Sequence, residues 1–325
     1  MQYRGFMSIV CTGSIAYDYL MSFPGHFREH ILPDRLENIS LSFLVDSMVR
    51  QRGGTAPNIA YTLALLGEKP LLVGTAGVDF EEYRAWLDAK GVDTRYVKVI
   101  PGKYTASFFA NTDLDNNQIA SFYTGAMANA SEISISDLLP ENPGLVVISP
   151  NDPTAMAQYA RQSRELGIPY LYDPSQQVVR LSHEDLRAGV DGATLLFCNE
   201  YEFELLQKHT GYTADQLRDA VKVLVVTLGA DGALIYTDKN EWRIPVVKPE
   251  QIADPTGVGD AFRGGFLRGL QLGLGMEICG EMGVLAATYC LEQHGPQNHS
   301  YTRVEFINRF RKNFNDQGAL DALLN

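Results

Sequence analysis

The sequence predicts an α/β fold: a ribbon of mostly parallel strands in one large sheet flanked by helices, with a small β-sheet lid. Three observations lead there. From Leu145 onward, short apolar runs alternate with helical stretches, the rhythm of a parallel sheet covered on both faces. Between Tyr96 and Tyr123, strand-like runs succeed one another with no helix, which suits a separate small sheet. Glycines at 53–54 and 257–259 each precede a helix, where free backbone amides can meet a ligand.

The 325 residues suit one domain. Its body is expected over about residues 1–18, 53–95 and 125–325, and its discontinuous lid over 19–52 and 96–124.

The first expected strand is Met7–Thr12, with Ser14 and Asp18 following where ligands gather in parallel sheets. An Asp in that position is also an ordinary turn residue. Ile39–Val45 alternates apolar and polar and is assigned to the lid. Gly53 and Gly54 then turn the chain into a helix closed by Gly67, with Pro57 in its first turn. Asn58 lies in that first turn with its amide expected to be free for a ligand. Pro70–Gly77 reads as a strand, Asp79–Ala89 as a helix, and Tyr96–Ile100, Thr105–Ala110 and Gln118–Tyr123 as lid strands. Phe108 and Phe122 fit either the core of that sheet or a stack on a flat ligand.

Strands follow at Leu145–Ser149, Pro169–Asp173, Leu195–Cys198, Leu224–Thr227 and Ala233–Tyr236, with a helix at Pro153–Leu166. Arg180 is either a substrate contact or a surface charge. Asn199 and Glu202 form the pattern of a capping box. Asp231-Gly232 signals a hairpin turn. Helices at Met276–Gln293 and from Val304 close the chain.

Apolar residues make up 45% and charged residues 20% of the chain, enough for a core and too ordered a mix for wholesale disorder. A net charge of −12 argues against nucleic-acid and anionic-membrane partners, though backbone amides can still hold a nucleotide. Cys11, Cys198, Cys279 and Cys290 have no metal spacing, so reduced buried thiols and a cytoplasmic setting are expected.

The stretch Ala253–Phe266 is the chemical centre. Asp254 and Thr256 are N-cap candidates, and Gly257 and Gly259 allow a sharp turn and a close ligand. Asp260 lies where the first-turn amides converge. A carboxylate there would repel a static phosphate, but it suits a general base that takes a proton from a hydroxyl attacking phosphorus. Gly264 and Gly265 weaken the helix by about 1 kcal/mol each, which calls for a packing or ligand reason.

Asp254-Pro-Thr-Gly-Val-Gly-Asp260 resembles the C-terminal signature of the ribokinase-like carbohydrate and nucleoside kinases, with Val258 and Pro255 as departures. Gly53-Gly-Thr-Ala-Pro-Asn58 resembles the N-terminal signature of the same family. The resemblance runs from Gly13 to about Gly295 and is nearest to the adenosine-phosphorylating members, through Ser40–Asp46, Ile119–Tyr123 and Asp173–Gln177. It implies transfer of the γ-phosphoryl of ATP to the 5′-hydroxyl of adenosine. Asp260 would be the base, and the amides of Gly257, Val258 and Gly259 would hold the transferring group.

By the same resemblance, Ser14, Asp18, Gly54 and Asn58 surround the ribose. Phe108 and Phe122 flank the base, and Ser42 lies on its purine side. Asn199, Thr227, Gly229 and Gly232 adjoin the nucleotide, Glu202 orders Mg²⁺ through water, and Asp254 adjoins a K⁺ site. A homodimer through the lid is expected. Thr55 stands where ribokinases usually carry Lys, which counts against ribose. A sugar kinase with the same machinery and a non-catalytic nucleoside sensor are the other readings. Aromatic residues in the lid favour a base over a bare sugar, and Asp260 favours turnover over sensing.

Overall fold

The apolar runs and turn residues resolve, in the computed structural model, into the following elements over the described residues, 8–31 and 40–324. The first part runs β1 (Ile9–Thr12), β2 (Ala16–Ser22), α1 (Phe27–His30), β3 (Ser47–Gly53), α2 (Thr55–Leu65), β4 (Leu71–Ala76), α3 (Glu81–Ala89) and β5 (Asp93–Val99). The middle continues with β6 (Ala106–Thr112), β7 (Gln118–Tyr123), β8 (Leu145–Ile148), α4 (Pro153–Glu165), β9 (Tyr170–Tyr172), α5 (His183–Asp191) and β10 (Leu195–Asn199). The remainder is α6 (Glu200–Thr210), α7 (Ala214–Ala220), β11 (Val223–Thr227), β12 (Ala233–Tyr236), β13 (Glu241–Ile244), α8 (Val258–Gln271), α9 (Met276–Leu291) and α10 (Arg303–Asn313).

Nine of these strands form one sheet in the order β13-β12-β11-β10-β9-β8-β1-β4-β5. It is parallel from β11 to β5, and β12 and β13 extend it as antiparallel hairpins. Every residue of β1, β4, β8 and β9 is buried, as continuous apolar strands in a doubly covered sheet should be. One apolar layer joins α2, α3, α8, α9 and α10 to one face, and a second joins α4, α5, α6 and α7 to the other. The order reverses between β1 and β8, so the crevice for a ligand lies beyond their carboxyl ends.

The lid is a four-stranded sheet, β3-β2-β6-β7. Two expectations about it are corrected. Residues 40–45 form no strand; the lid strand is Ser47–Gly53, antiparallel to β2 with Gln51 opposite Asp18. Ile39, like Met7, lies outside the described residues. Tyr96–Ile100 belongs to the large sheet, where β5 pairs with β4, because Val97 joins the body's core.

The cause of Gly264 and Gly265 is packing. A Cβ on Gly264 would lie 2.6 Å from Thr62 Cβ in α2, and one on Gly265 would lie 2.4 Å from the Met282 carbonyl oxygen in α9. The glycines let α8 run against two helices at once. No described helix is long and apolar enough to cross a membrane.

Candidate active site

Four successive parallel strands each deliver one residue to a common cavity. Pro150 follows β8, Asp173 follows β9, Asn199 ends β10 and Thr227 ends β11, and all four line a space of about 240 Å³. The opposite wall is Gly257, Gly259, Asp260 and Arg263 at the start of α8, with Thr55 at the start of α2. Two helix N-termini therefore face one polar cavity, each bringing first-turn amides without partners in their own helix.

The cap of α8 departs from expectation. Gly257 is the N-cap, at φ 78°, and no side chain caps the helix. Asp254 instead accepts from the Thr256 amide at 2.8 Å and from the Gly295 amide at 2.9 Å, tying the loop before α8 to the loop after α9. Burial would raise its proton affinity, but these hydrogen bonds outweigh it and hold Asp254 below the usual carboxylate range. The Val258 amide points back to the Pro255 carbonyl at 3.4 Å.

Asp260 opens onto the cavity while protein surrounds its other sides. That burial pushes its pKa up to about 7, against the pull of Arg263 and of the Asn58 amide. Its Oδ2 accepts from Asn58 Nδ2 at 2.8 Å. The Asn58 amide is thus not free for a ligand, as its first-turn position suggested. Its oxygen accepts from Gln297 Nε2 at 2.6 Å, and Asn58 is only 5% exposed.

Arg263 lies one helical turn beyond Asp260 and is buried with Asp173, to which Nη2 donates at 2.8 Å. Burial works against the Arg263 charge, but Asp173, Asp260 and Glu202 outweigh it and keep it protonated. Burial likewise lifts Asp173 to about 6, against the pull of Arg263.

The capping box at Asn199 and Glu202 is present in both directions, at 2.7 and 2.8 Å. The second Glu202 oxygen accepts from Ser175 Oγ at 2.8 Å. Among the described residues, only His26, Asp113 and Asp115, in and beside the lid, bring three metal-type ligand atoms together. The cavity's carboxylates, Asp173, Glu202 and Asp260, are each already hydrogen-bonded to protein groups. That donor set fits Mg²⁺ held through waters and substrate phosphates, with Glu202 as the side chain that would order the waters.

The remaining candidates fall into three groups. Ser14 lies beside the switch point, where its hydroxyl is 3.3 Å from Thr55 Oγ1 and its amide donates to Pro150. Gly54, at φ 94°, allows this contact, since a Cβ there would lie 2.4 Å from the Ser14 carbonyl oxygen. Asp18, Phe108 and Phe122 are cross-strand neighbours in the lid, and Gln51 pairs with Asp18 on its other side. Directly opposed residues share a face, so these four form one row. Phe122 is 48% exposed and Phe108 part-exposed, so the rings are not core. Burial, and then the nearby Asp254, raise Asp18 to about 6. Ser42 and Arg180 are exposed, and neither lines the cavity. Gly229 and Gly232 shape the β11–β12 turn, closed by Leu228 N–H to the Gly232 carbonyl at 2.8 Å, and also lie outside the lining.

Sequence reasoning missed Arg263, Thr55 as a cavity residue, Ser175, Tyr83 and Gln297. Arg263 had a signal, its helical spacing from Asp260. Ser175 lies within the Asp173–Gln177 stretch that carried the resemblance, whereas Tyr83 and Gln297 had no signal, because their partners are distant in sequence.

An acid at a helix start thus faces a polar cavity at the switch point of a mostly parallel sheet, the place where ribokinase-like folds carry their site. The profile of the pfkB family carbohydrate kinases matches residues 9–303, and the chain belongs to that family. It is similar to a nucleoside kinase of Burkholderia thailandensis solved with inosine: 38% identity, TM-score 0.84, covering 94% of this chain and 98% of the other. It is 29% identical to a nucleoside kinase of Methanothermobacter thermautotrophicus, over 93% of this chain and 95% of that one. It is 30% identical to a cytidine kinase of Thermococcus kodakarensis, over 76% and 90%.

Proposed function

We propose that this kinase transfers the γ-phosphoryl group of ATP to the 5′-hydroxyl of a nucleoside, with adenosine as the preferred acceptor. The observation that carries the reading is the lid row of Asp18, Phe108 and Phe122. It sets a carboxylate, suited to vicinal ribose hydroxyls, beside two part-exposed rings suited to a base. A bare sugar has no use for the rings. The similarity to two nucleoside kinases, one of them solved with inosine, supports a nucleoside acceptor.

Asp260 takes the proton of the attacking hydroxyl as the new O–P bond forms and the bond to the ADP oxygen breaks. A base with a pKa near 7 is matched to that task at neutral pH. The amides at the start of α8 hold the charge of the transferring group. Mg²⁺, when bound, neutralises charge on the β- and γ-phosphoryl oxygens. Asn199 and Thr227, which line the cavity, are the proposed contacts of the nucleotide. Asp254, kept ionised, is the proposed anionic partner of a K⁺ ion. Pairing of lids into a homodimer belongs to the same proposal; Met48, Val49 and Ile119 leave apolar surface on the lid.

The test is phosphorylation of adenosine, inosine, cytidine, ribose and fructose with ATP and Mg²⁺. Adenosine should have the highest kcat/KM. A higher value for ribose or fructose would overturn the nucleoside reading, and a higher value for inosine or cytidine would overturn adenosine alone.

A further inference from the structure

Behind the base lies a buried hydrogen-bonded chain that the reaction as described does not use. Gln297, in the loop after α9, is 3% exposed. Its Nε2 donates to Asn58 Oδ1 at 2.6 Å and to the Tyr83 hydroxyl at 2.5 Å. The Tyr83 hydroxyl donates in turn to the Gly53 carbonyl at 3.0 Å. Gly53 ends lid strand β3 and is so close to Asp18 that a Cβ there would lie 2.6 Å from Asp18 Oδ2. At the other end of the chain, Asn58 Nδ2 meets Asp260.

We propose that Gln297 is a positioning residue: its amide fixes which way Asn58 faces Asp260, and Tyr83 ties that choice to the lid hinge at Gly53. This rests on the reading of Asp260 as the base.

The argument is one of donor and acceptor count. A side-chain amide has two N–H groups and one oxygen. Both Gln297 N–H directions are taken by Asn58 and Tyr83, and its Oε1 is buried with no hydrogen-bond partner among the described residues. With a donor facing its oxygen, Asn58 must turn its own NH₂ toward Asp260. Were Asn58 turned over, its oxygen would oppose the Asp260 carboxylate, an arrangement compatible only with a protonated Asp260. The Gln297 donor therefore favours the ionised base. The other charged or titratable groups facing Asp260 are Arg263 on its own helix, Asp173 after β9, Glu202 in α6 and Cys290 in α9. Among the described residues, Gln297 hydrogen-bonds Asn58 and Tyr83 and none of these groups.

The experiment compares pH–rate profiles of nucleoside phosphorylation for the wild type, Gln297→Met and Tyr83→Phe. Gln297→Met keeps the bulk and removes both donors. The acid limb of its kcat/KM profile should move up by about one pH unit, since a hydrogen bond to a charged group influences ionisation on that scale. Its kcat at alkaline pH should stay within about threefold of wild type. A lowered melting temperature with an unmoved acid limb would reduce Gln297 to a structural residue and overturn the proposal.

Tyr83→Phe removes one hydroxyl and keeps the ring packing, so it tests the hinge link even if Gln297→Met fails to fold. It should raise the acceptor KM severalfold while alkaline kcat is kept; an unchanged KM would overturn the link. A wild type with no acid limb, or an Asp260→Asn variant that retains it, would refute the base itself. An Asp260-dependent limb that Gln297→Met leaves in place would refute the positioning role alone.

Discussion

Replacing Asp260 with Asn should make the protein nearly inactive and more stable, and the second effect should depend on pH. The substitution keeps the shape and an acceptor for Asn58 Nδ2 while removing the charge. A positioned base is worth about 10²–10⁴-fold in rate, so kcat should fall by that factor. The stability effect follows from the raised pKa. The folded carboxyl has a pKa of about 7, against 3.8 for the ordinary group, so the folded state binds more protons between those values. Wild-type stability is therefore greatest below about pH 4 on this account, falls as pH rises to about 7, and is level above that.

A rise of that size corresponds to about 4 kcal/mol at most. Water in the cavity screens part of it, so a gain of roughly 2–3 kcal/mol is expected for Asp260→Asn at pH 8. The gain should shrink toward zero near pH 4. Urea unfolding of both proteins across that range reads it directly. A gain that is equal at both ends would show that burial of the charge is not what raises the pKa. A variant that keeps wild-type kcat would show that Asp260 is not the base.

Glu202→Gln should raise the Mg²⁺ concentration for half-maximal activity, since its carboxylate faces the cavity; an unchanged Mg²⁺ titration would leave Glu202 only its capping role. Phe122→Ala should lower kcat/KM for adenosine by about tenfold or more, the worth of one base stack, while sparing any ribose activity. No loss on adenosine would return the ring to a structural role. Gly54→Ala should lower the melting temperature and the activity together, because φ 94° and the Ser14 carbonyl leave no room for a Cβ; a fully active and equally stable variant would refute that account. Light scattering at micromolar concentration should give a dimer, and a monomer would remove the lid pairing but not the lid.

The sequence by itself determined the α/β class, nearly every strand of the parallel sheet, the capping box at Asn199 and Glu202, and the two glycine turns. These are local matters: apolar runs of strand length, a side chain three residues from its backbone partner, a turn that only glycine permits. It also placed Asp260 at a helix start, where the chemistry could be inferred from the repulsion a carboxylate would otherwise cause.

Only the tertiary structure decided which sheet a strand joined. Tyr96–Ile100 looks like its lid neighbours along the chain, and pairing with β4 and burial of Val97 in the body's core assign it to the large sheet. Only the fold brought Asp18, Phe108 and Phe122 into one row, because register between strands is invisible along a single strand. The same holds for Asn58. Its first-turn position made its amide look available, yet it is held between Asp260 in the first turn of α8 and Gln297 in the loop after α9, both far away in sequence. Buried polar groups must find partners wherever the packed chain offers them, and that search is settled in three dimensions rather than along the chain.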